Sequence, residues 1–305
     1  MRRARDGGPR AVRLALAAGL LAAAACSAPG SDPAQPEAPT VAPSASARSD
    51  PSREVTPRGG GTLRPRPGTV PPPWLGTRVL PERADGFGEV RPTPRPLRRR
   101  AFTLPGSVAP AAELPGDGFA GRVVAPAPAR VIARSTWEPR CPVGAGELAW
   151  VRVAFHGFDD ARHTGELLVA STWAEDVVDV FAELYAARFP IEQMRITRAE
   201  ELDVPPTGDG NNTGAFVCRP VTGGTSFSEH AYGRAIDVNP FQNPYVRDDL
   251  VVPELASAYL DRDRRAPGII REGGPVVEAF ARIGWVWGGD YTSLRDWQHF
   301  SSTGG

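Results

Sequence analysis

Proline is concentrated near the N-terminus, and this limits where the chain can build regular secondary structure. Of the 33 prolines in the 305-residue chain, 22 precede residue 130. Proline lacks a backbone N–H, so it interrupts helices and the interiors of sheets. Residues 26–117 are also rich in Ala, Ser, Gly and Arg, without a sustained period of 2 or 3.6, as is typical of disordered linkers. We therefore expect a long disordered linker over 26–117 and a folded domain over 118–305.

The N-terminus resembles a bacterial export signal. Several arginines precede the apolar run at residues 14–25, which is too short to span a bilayer but suits the hydrophobic region of a signal peptide. Small residues then lead into Cys26, a pattern similar to a lipobox, in which the cysteine becomes the lipidated first residue. An ordinary signal peptide cut nearby is the alternative, and a twin-arginine route is disfavoured because apolar residues do not follow the arginine pair. We predict a lipoprotein-type signal peptide over 1–25 and an exported protein anchored to the membrane through Cys26.

The charge balance argues against one class of partner. The formal net charge is zero, so no global field favours nucleic acid, and we expect none to bind. A local cationic run, "RPTPRPLRRRAF" at residues 91–102, is either a solvated part of the linker or a contact site for anionic lipid or wall polymer.

Two further cysteines lie in the C-terminal part of the chain. Cys141 and Cys218 form an even pair, and in an oxidising compartment a disulfide is the default expectation. The competing hypothesis makes one of them a nucleophile with His230 as its base, which leaves the second thiol unexplained.

The region after residue 130 has the periodicities of a folded domain. Residues 147–155 alternate as a half-buried strand would, and residues 166–170 continue as its hairpin partner. Apolar residues recur at helical spacing over 171–190, and a second helix is predicted from Pro275 to Gly284. The elements do not follow a regular βαβ order. This favours an α+β fold with a mainly antiparallel sheet and flanking helices.

One strand carries a carboxylate where an apolar residue is expected. In "SFSEHAYGRAIDVNP", residues 226–240, Asp237 lies between Ile236 and Val238, seven positions after His230. An ionised carboxylate in such a strand needs a compensating charge. A metal ion is one such partner, and His230 is close enough in sequence to be a second ligand.

A third ligand is available near the C-terminus, in "LRDWQHFSS". His299 lies in a segment that is predicted to be an ordered strand. Three N and O ligands that leave a position open for water are typical of a catalytic zinc site. Asp296, three residues before His299, is placed to take a proton from the attacking water.

These motifs carry a resemblance to a known family. "SEHAYGRAIDVN" and "DWQHF" resemble the Ser-x-His-x6-Asp and acidic-x-x-His signatures of the D-alanyl-D-alanine carboxypeptidase family of zinc peptidases. That family includes vancomycin-resistance-type carboxypeptidases and L-alanyl-D-glutamate endopeptidases, and "GFDDARHTGEL", "NPFQNPYV" and "GWVWGGDY" look like the endopeptidase-like branch. The resemblance covers about residues 135–301 and implies a fold of the Hedgehog and D,D-peptidase type.

The resemblance also implies roles for individual residues. It makes His230, Asp237 and His299 the Zn²⁺ ligands and Asp296 the general base. Glu is common in the family at the position of this base, and the Asp side chain has a shorter reach. An arginine on the strand before the Ser-x-His motif holds the substrate carbonyl or oxyanion in the family. Arg219 is the best match here, with a shorter segment between it and the histidine. Ser228 corresponds to the serine beside the substrate.

The expected function is therefore a zinc metallopeptidase that hydrolyses peptidoglycan stem peptides, as a carboxypeptidase or an endopeptidase. We expect it to act as a monomer at the cell wall. A lysostaphin-type enzyme is disfavoured because its His-x3-Asp and His-x-His spacings are missing. Two alternatives from other classes are a catalytically weak or inactive zinc-containing wall-binding lipoprotein and a tethering protein whose linker is the functional part.

Overall fold

The computed structural model describes residues 68–104, 113–221 and 224–304. The predicted signal peptide, Cys26 and the part of the predicted linker that precedes residue 68 lie outside the described residues. The helices are α1 (Ala129–Ile132), α2 (Ala174–Ala186) and α3 (Pro275–Arg282). The strands are β1 (Gly121–Val124), β2 (Leu148–His156), β3 (Arg162–Ala170), β4 (Gln193–Met194), β5 (Asn212–Thr213), β6 (Ala235–Asp237), β7 (Tyr245–Arg247), β8 (Leu250–Val252), β9 (Val286–Trp287), β10 (Arg295–Asp296) and β11 (His299–Ser301).

The strands form small sheets that confirm the predicted α+β class. The sheet orders are β1-β2-β3, β6-β11-β9 and β10-β7-β8, all with antiparallel neighbours. The short pair β4-β5 is parallel. None of the helices in the described residues is long and apolar enough to cross a membrane.

The predicted hairpin is present, but β2 is buried along its whole length rather than on one face. Val151 and Val153 belong to a cluster that includes the apolar face of α2, whereas Trp150 packs in a second cluster on the other side. Arg152 lies over the Trp150 ring, 4.5 Å from its centroid, and opposite Glu166 of β3. The alternating pattern therefore predicted the strand correctly, but it did not predict that apolar residues also cover the second face of β2.

The prediction of a disordered linker up to residue 117 is wrong for residues 68–104. This segment, which we call the strap, packs against the rest of the domain. Its buried residues Leu80, Leu97 and Phe102 form an apolar cluster with Phe241 and Tyr259. The folded domain therefore includes residues well before residue 118.

A buried ion pair connects the strap to the rest of the domain. Arg100 is 1% exposed, and its guanidinium donates to both carboxylate oxygens of Glu192, at 2.7 and 2.6 Å. It also donates to the carbonyl of Asp209 at 2.8 Å and lies between the rings of Phe102 and Phe241. Arg100 therefore belongs to the core and is not available to contact lipid or wall polymer.

Candidate metal centre

A short turn places His230 in the interior. Residues Glu229–Tyr232 form a 3₁₀ helix, and the Ser228 hydroxyl caps it by accepting a hydrogen bond from the His230 N–H at 3.3 Å. Gly233 ends the turn with a φ of 68°. A Cβ at this position would lie 2.5 Å from the backbone nitrogen of Ala170, so only glycine fits. His230 is 3% exposed as a result.

Strand register brings the other two predicted ligands together. His299 on β11 lies directly opposite Asp237 on β6. The adjacent pair, Phe300 and Ile236, points into the core with 0% exposure. Side chains alternate between the two faces of a strand. Asp237 and His299 therefore share the face that His230 approaches.

Three potential ligand atoms converge at this point. Nε2 of His230 lies 3.2 Å from Nδ1 of His299 and 3.2 Å from Oδ1 of Asp237. The distance from His299 Nδ1 to Asp237 Oδ1 is 3.0 Å. The cluster matches the predicted ligand set and could hold a metal ion.

The orientation of the cluster suits a cation. Nδ1 of His230 donates to the carbonyl oxygen of Ala215 at 2.6 Å, which directs Nε2 toward the other two side chains. Burial alone would raise the pKa of Asp237, but His230 and His299 hold it well below its usual range. The site thus presents a carboxylate and two imidazole nitrogens to one small volume.

Asp296 lies beside this cluster on β10, opposite Tyr245 of β7. The pKa of its carboxyl is raised to about 7, chiefly by burial and with a contribution from nearby Asp237, although His299 and Arg219 lower it. Its Oδ1 is buried and has no hydrogen-bond partner among the described residues. A carboxyl with a pKa near neutrality and an unused oxygen is suited to accept a proton.

A cleft of about 600 Å³ opens in front of Asp296 and His299 and is also lined by Ser228. A smaller pocket of about 120 Å³ lies against His230 and Asp237. Arg219 lines both cavities. The structure therefore brings together all six residues that the sequence predicted for the site.

The predicted disulfide is present. Cys141 and Cys218 are bonded, with their Cα atoms 5.8 Å apart. Both thiols are consumed by this bond, so the alternative of a cysteine nucleophile is wrong.

Sequence reasoning missed several residues of the cleft wall. Tyr245, Arg247 and Tyr291 line the cleft. Tyr245 and Tyr291 stand in the quoted segments "NPFQNPYV" and "GWVWGGDY", but nothing in those segments pairs them with Asp296. That neighbourhood depends on the two-residue strand β10, which is too short to show a periodic signal.

A cluster of three potential ligands, two of them buried, with a carboxylate beside it in an open cleft is compatible with a hydrolytic metal site. A family model described as D-alanyl-D-alanine carboxypeptidase matches residues 222–302, and confirms the resemblance to that peptidase family over this segment. The match spans about a quarter of the 305-residue chain. It contains His230, Asp237, Asp296 and His299, whereas Arg219 lies outside it. No curated protein and no solved structure matches the chain.

Proposed function

We propose that this protein is a zinc-dependent metallopeptidase that hydrolyses peptidoglycan stem peptides in the bacterial cell wall. The family match supports a peptidase of the D-alanyl-D-alanine carboxypeptidase type. The observation that carries the choice of zinc is the convergence of two imidazole nitrogens and one carboxylate oxygen.

The separations of these atoms support zinc as the ion. Zn²⁺ binds nitrogen and oxygen ligands at about 2.0–2.1 Å in a tetrahedral arrangement, for which the ligand–ligand distance is roughly 3.3 Å. The three observed separations are 3.0, 3.2 and 3.2 Å. Two histidines and one carboxylate also form a ligand set that zinc enzymes use. When bound, zinc supplies Lewis acidity that polarises the scissile carbonyl and acidifies water.

The residues around the ion would provide proton transfer, oxyanion stabilisation and contacts to the substrate. The Asp296 carboxylate accepts a proton from the attacking water and delivers it to the nitrogen of the leaving amine. The Arg219 guanidinium, where the cleft meets the small pocket, donates hydrogen bonds to the oxyanion that develops on the scissile carbonyl. Ser228 fixes the turn that carries His230 and presents its side of the cleft to the substrate.

The cleft is suited to a short peptide. Its volume of about 600 Å³ is within the roughly 300–1,000 Å³ that is usual for small-molecule sites. Arg219 and Arg247 add positive charge to walls that also carry Asp290 and Glu229. Such walls can bind a peptide that bears both carboxylates and amines, as stem peptides do.

Export and anchoring belong to the same proposal and rest on the sequence. The apolar run before Cys26 supports secretion with lipidation at that residue. Metabolic labelling with a radioactive fatty acid would mark the wild-type protein in the membrane fraction. The label should be lost in the Cys26→Ser variant, and its retention there would exclude Cys26 as the anchor.

Hydrolysis of purified muropeptides tests the enzymatic proposal. We expect activity in the zinc-loaded protein and its loss on chelation or in the Asp296→Ala variant. The matched control is Asp179→Ala, which changes an exposed carboxylate on α2. Zinc content should be unchanged in both variants, so that loss of the base is separated from loss of the ion.

The products identify the bond that is cut. Loss of terminal D-alanine, seen by mass spectrometry, would define a carboxypeptidase, and cleavage between L-alanine and D-glutamate an endopeptidase. Zinc binding without any hydrolysis, unaffected by Asp296→Ala, would instead indicate the inactive wall-binding lipoprotein.

A further inference from the structure

The disulfide lies directly beside a residue of the proposed catalytic machinery. Cys218 immediately precedes Arg219, and residues 215–219 have neither helical nor strand structure. The Arg219 guanidinium donates to the carbonyl of Pro220 at 3.0 Å. That bond lies within the same segment and cannot fix the position of the segment.

Backbone hydrogen bonds tie this segment to the metal centre on one side. The Val217 N–H donates to the carbonyl of His230 at 3.3 Å, and the Ser228 N–H donates to the carbonyl of Arg219 at 3.1 Å. These two bonds connect the arginine to the turn that carries the first ligand. They fix the segment along one edge.

The other edge is held by a hydrogen bond from the Phe216 N–H to the carbonyl of Leu168 at 3.1 Å and through Cys218. Its N–H donates to the hydroxyl of Thr136 at 2.9 Å, and its sulfur is bonded to Cys141. Cys218 is 6% exposed and packs in an apolar cluster with Val143. The covalent bond is therefore the strongest link between the arginine segment and this part of the domain.

We propose that the Cys141–Cys218 disulfide positions Arg219 for catalysis, in addition to stabilising the fold. This inference rests on the proposed function, in which Arg219 stabilises the oxyanion. Without the bond the segment stays attached through hydrogen bonds alone, to the His230 turn, to Leu168 and to Thr136. The residue next to Arg219 then loses its covalent link, and the guanidinium gains freedom to move along the cleft wall. Catalytic hydrogen bonds are sensitive to displacements of about 1 Å, which can change rates by about 100-fold.

The test is a double-mutant cycle between the disulfide and Arg219. Removing the bond with Cys141→Ser and Cys218→Ser should lower kcat about tenfold or more, with zinc content unchanged. Arg219→Ala should cost about 100-fold or more in the oxidised protein and much less in the protein without the bond, because the guanidinium is already misplaced there. Equal losses from Arg219→Ala in both backgrounds would overturn the proposal.

A stability control separates positioning from unfolding. Val143→Ala removes a buried side chain from the same cluster and leaves the disulfide intact, so it should lower stability but preserve kcat per folded molecule. If the serine variants do not fold, a phosphine reductant applied to the folded protein at low temperature gives the same comparison, with tryptophan fluorescence reporting the folded fraction.

A binding measurement makes the two proposals separable. A phosphinic acid peptide, which mimics the tetrahedral oxyanion, should bind the oxidised protein more tightly than the reduced protein, by calorimetry, and Arg219→Ala should abolish this difference. Inhibitor binding with that pattern but no hydrolysis of any wall peptide would refute the proposed function and support the positioning role. Equal affinities of the oxidised and reduced proteins would refute the positioning role, whatever the activity.

Discussion

Asp296 should make the metal-free protein less stable as the pH rises. Burial raises the pKa of its carboxyl from 3.8 to about 7. The folded state therefore binds the proton more tightly than the unfolded state, so the unfolding free energy is highest below the unfolded pKa and falls as the pH rises through about 7. A shift of about 3 units corresponds to about 4 kcal/mol at 1.36 kcal/mol per unit. The charged groups that act on Asp296 are His299, Asp237 and Arg219.

Urea unfolding of the chelated protein between pH 4 and pH 7, followed by tryptophan fluorescence, measures this slope. The Asp296→Asn variant should lose most of it, whereas the exposed control Asp179→Asn should retain it. Asp237 contributes with the opposite sign, because its lowered pKa gives stability that is lost as the pH falls. Most of that contribution is already present above about pH 4, because the unfolded carboxyl is then largely ionised, so it adds little to the measured slope. Identical slopes for wild type and Asp296→Asn would refute the assignment of a raised pKa to Asp296.

Three further predictions concern the scaffold. Arg100→Ala removes the cationic partner of the buried Glu192, which keeps its hydrogen bond from Asn211. We therefore expect the unfolding free energy to fall by about 3–5 kcal/mol, and an unchanged urea midpoint would show that the strap is not part of the cooperative unit. Reduction of the disulfide opens a loop with a sequence separation of 77 and should cost about 4.5 kcal/mol in the chain-entropy model, measured as a shift between oxidised and reduced urea curves. Gly233→Ala places a Cβ 2.5 Å from the Ala170 nitrogen, so we expect weaker zinc binding through displacement of His230, and an unaltered zinc affinity in competition with a chelator would contradict this.

The elements predicted correctly are those with a long or redundant signal. Helix α2 repeats its apolar face over several turns, and α3 is bounded by Pro275 and Gly284. Asp237 was found because a carboxylate departs from the apolar pattern around it, and His230 and His299 were found through their spacing in the two motifs. Their chemistry is thus visible in the sequence before any contact is known.

The strap could not be predicted in the same way. Its apolar residues Leu80, Leu97 and Phe102 are isolated between prolines and arginines, so no periodicity reveals them. From composition, Arg100 was predicted to be part of a solvated or lipid-binding cationic run. Its actual partner, Glu192, is 92 residues away in sequence. A pairing over that distance, in a segment without regular structure, leaves no local trace.

The pairing of β6 with β11 has a consequence for how an ion would enter the site. Ile236 and Phe300 are fully buried next to the ligands, and a slip of one residue would turn them out of the core. Apolar packing therefore fixes the spacing of Asp237 and His299 before any ion arrives, unlike in zinc fingers, which fold only around their metal. We expect ion exchange to proceed through the open cleft at a rate independent of global unfolding. The metal-free protein should therefore remain folded and able to bind the ion.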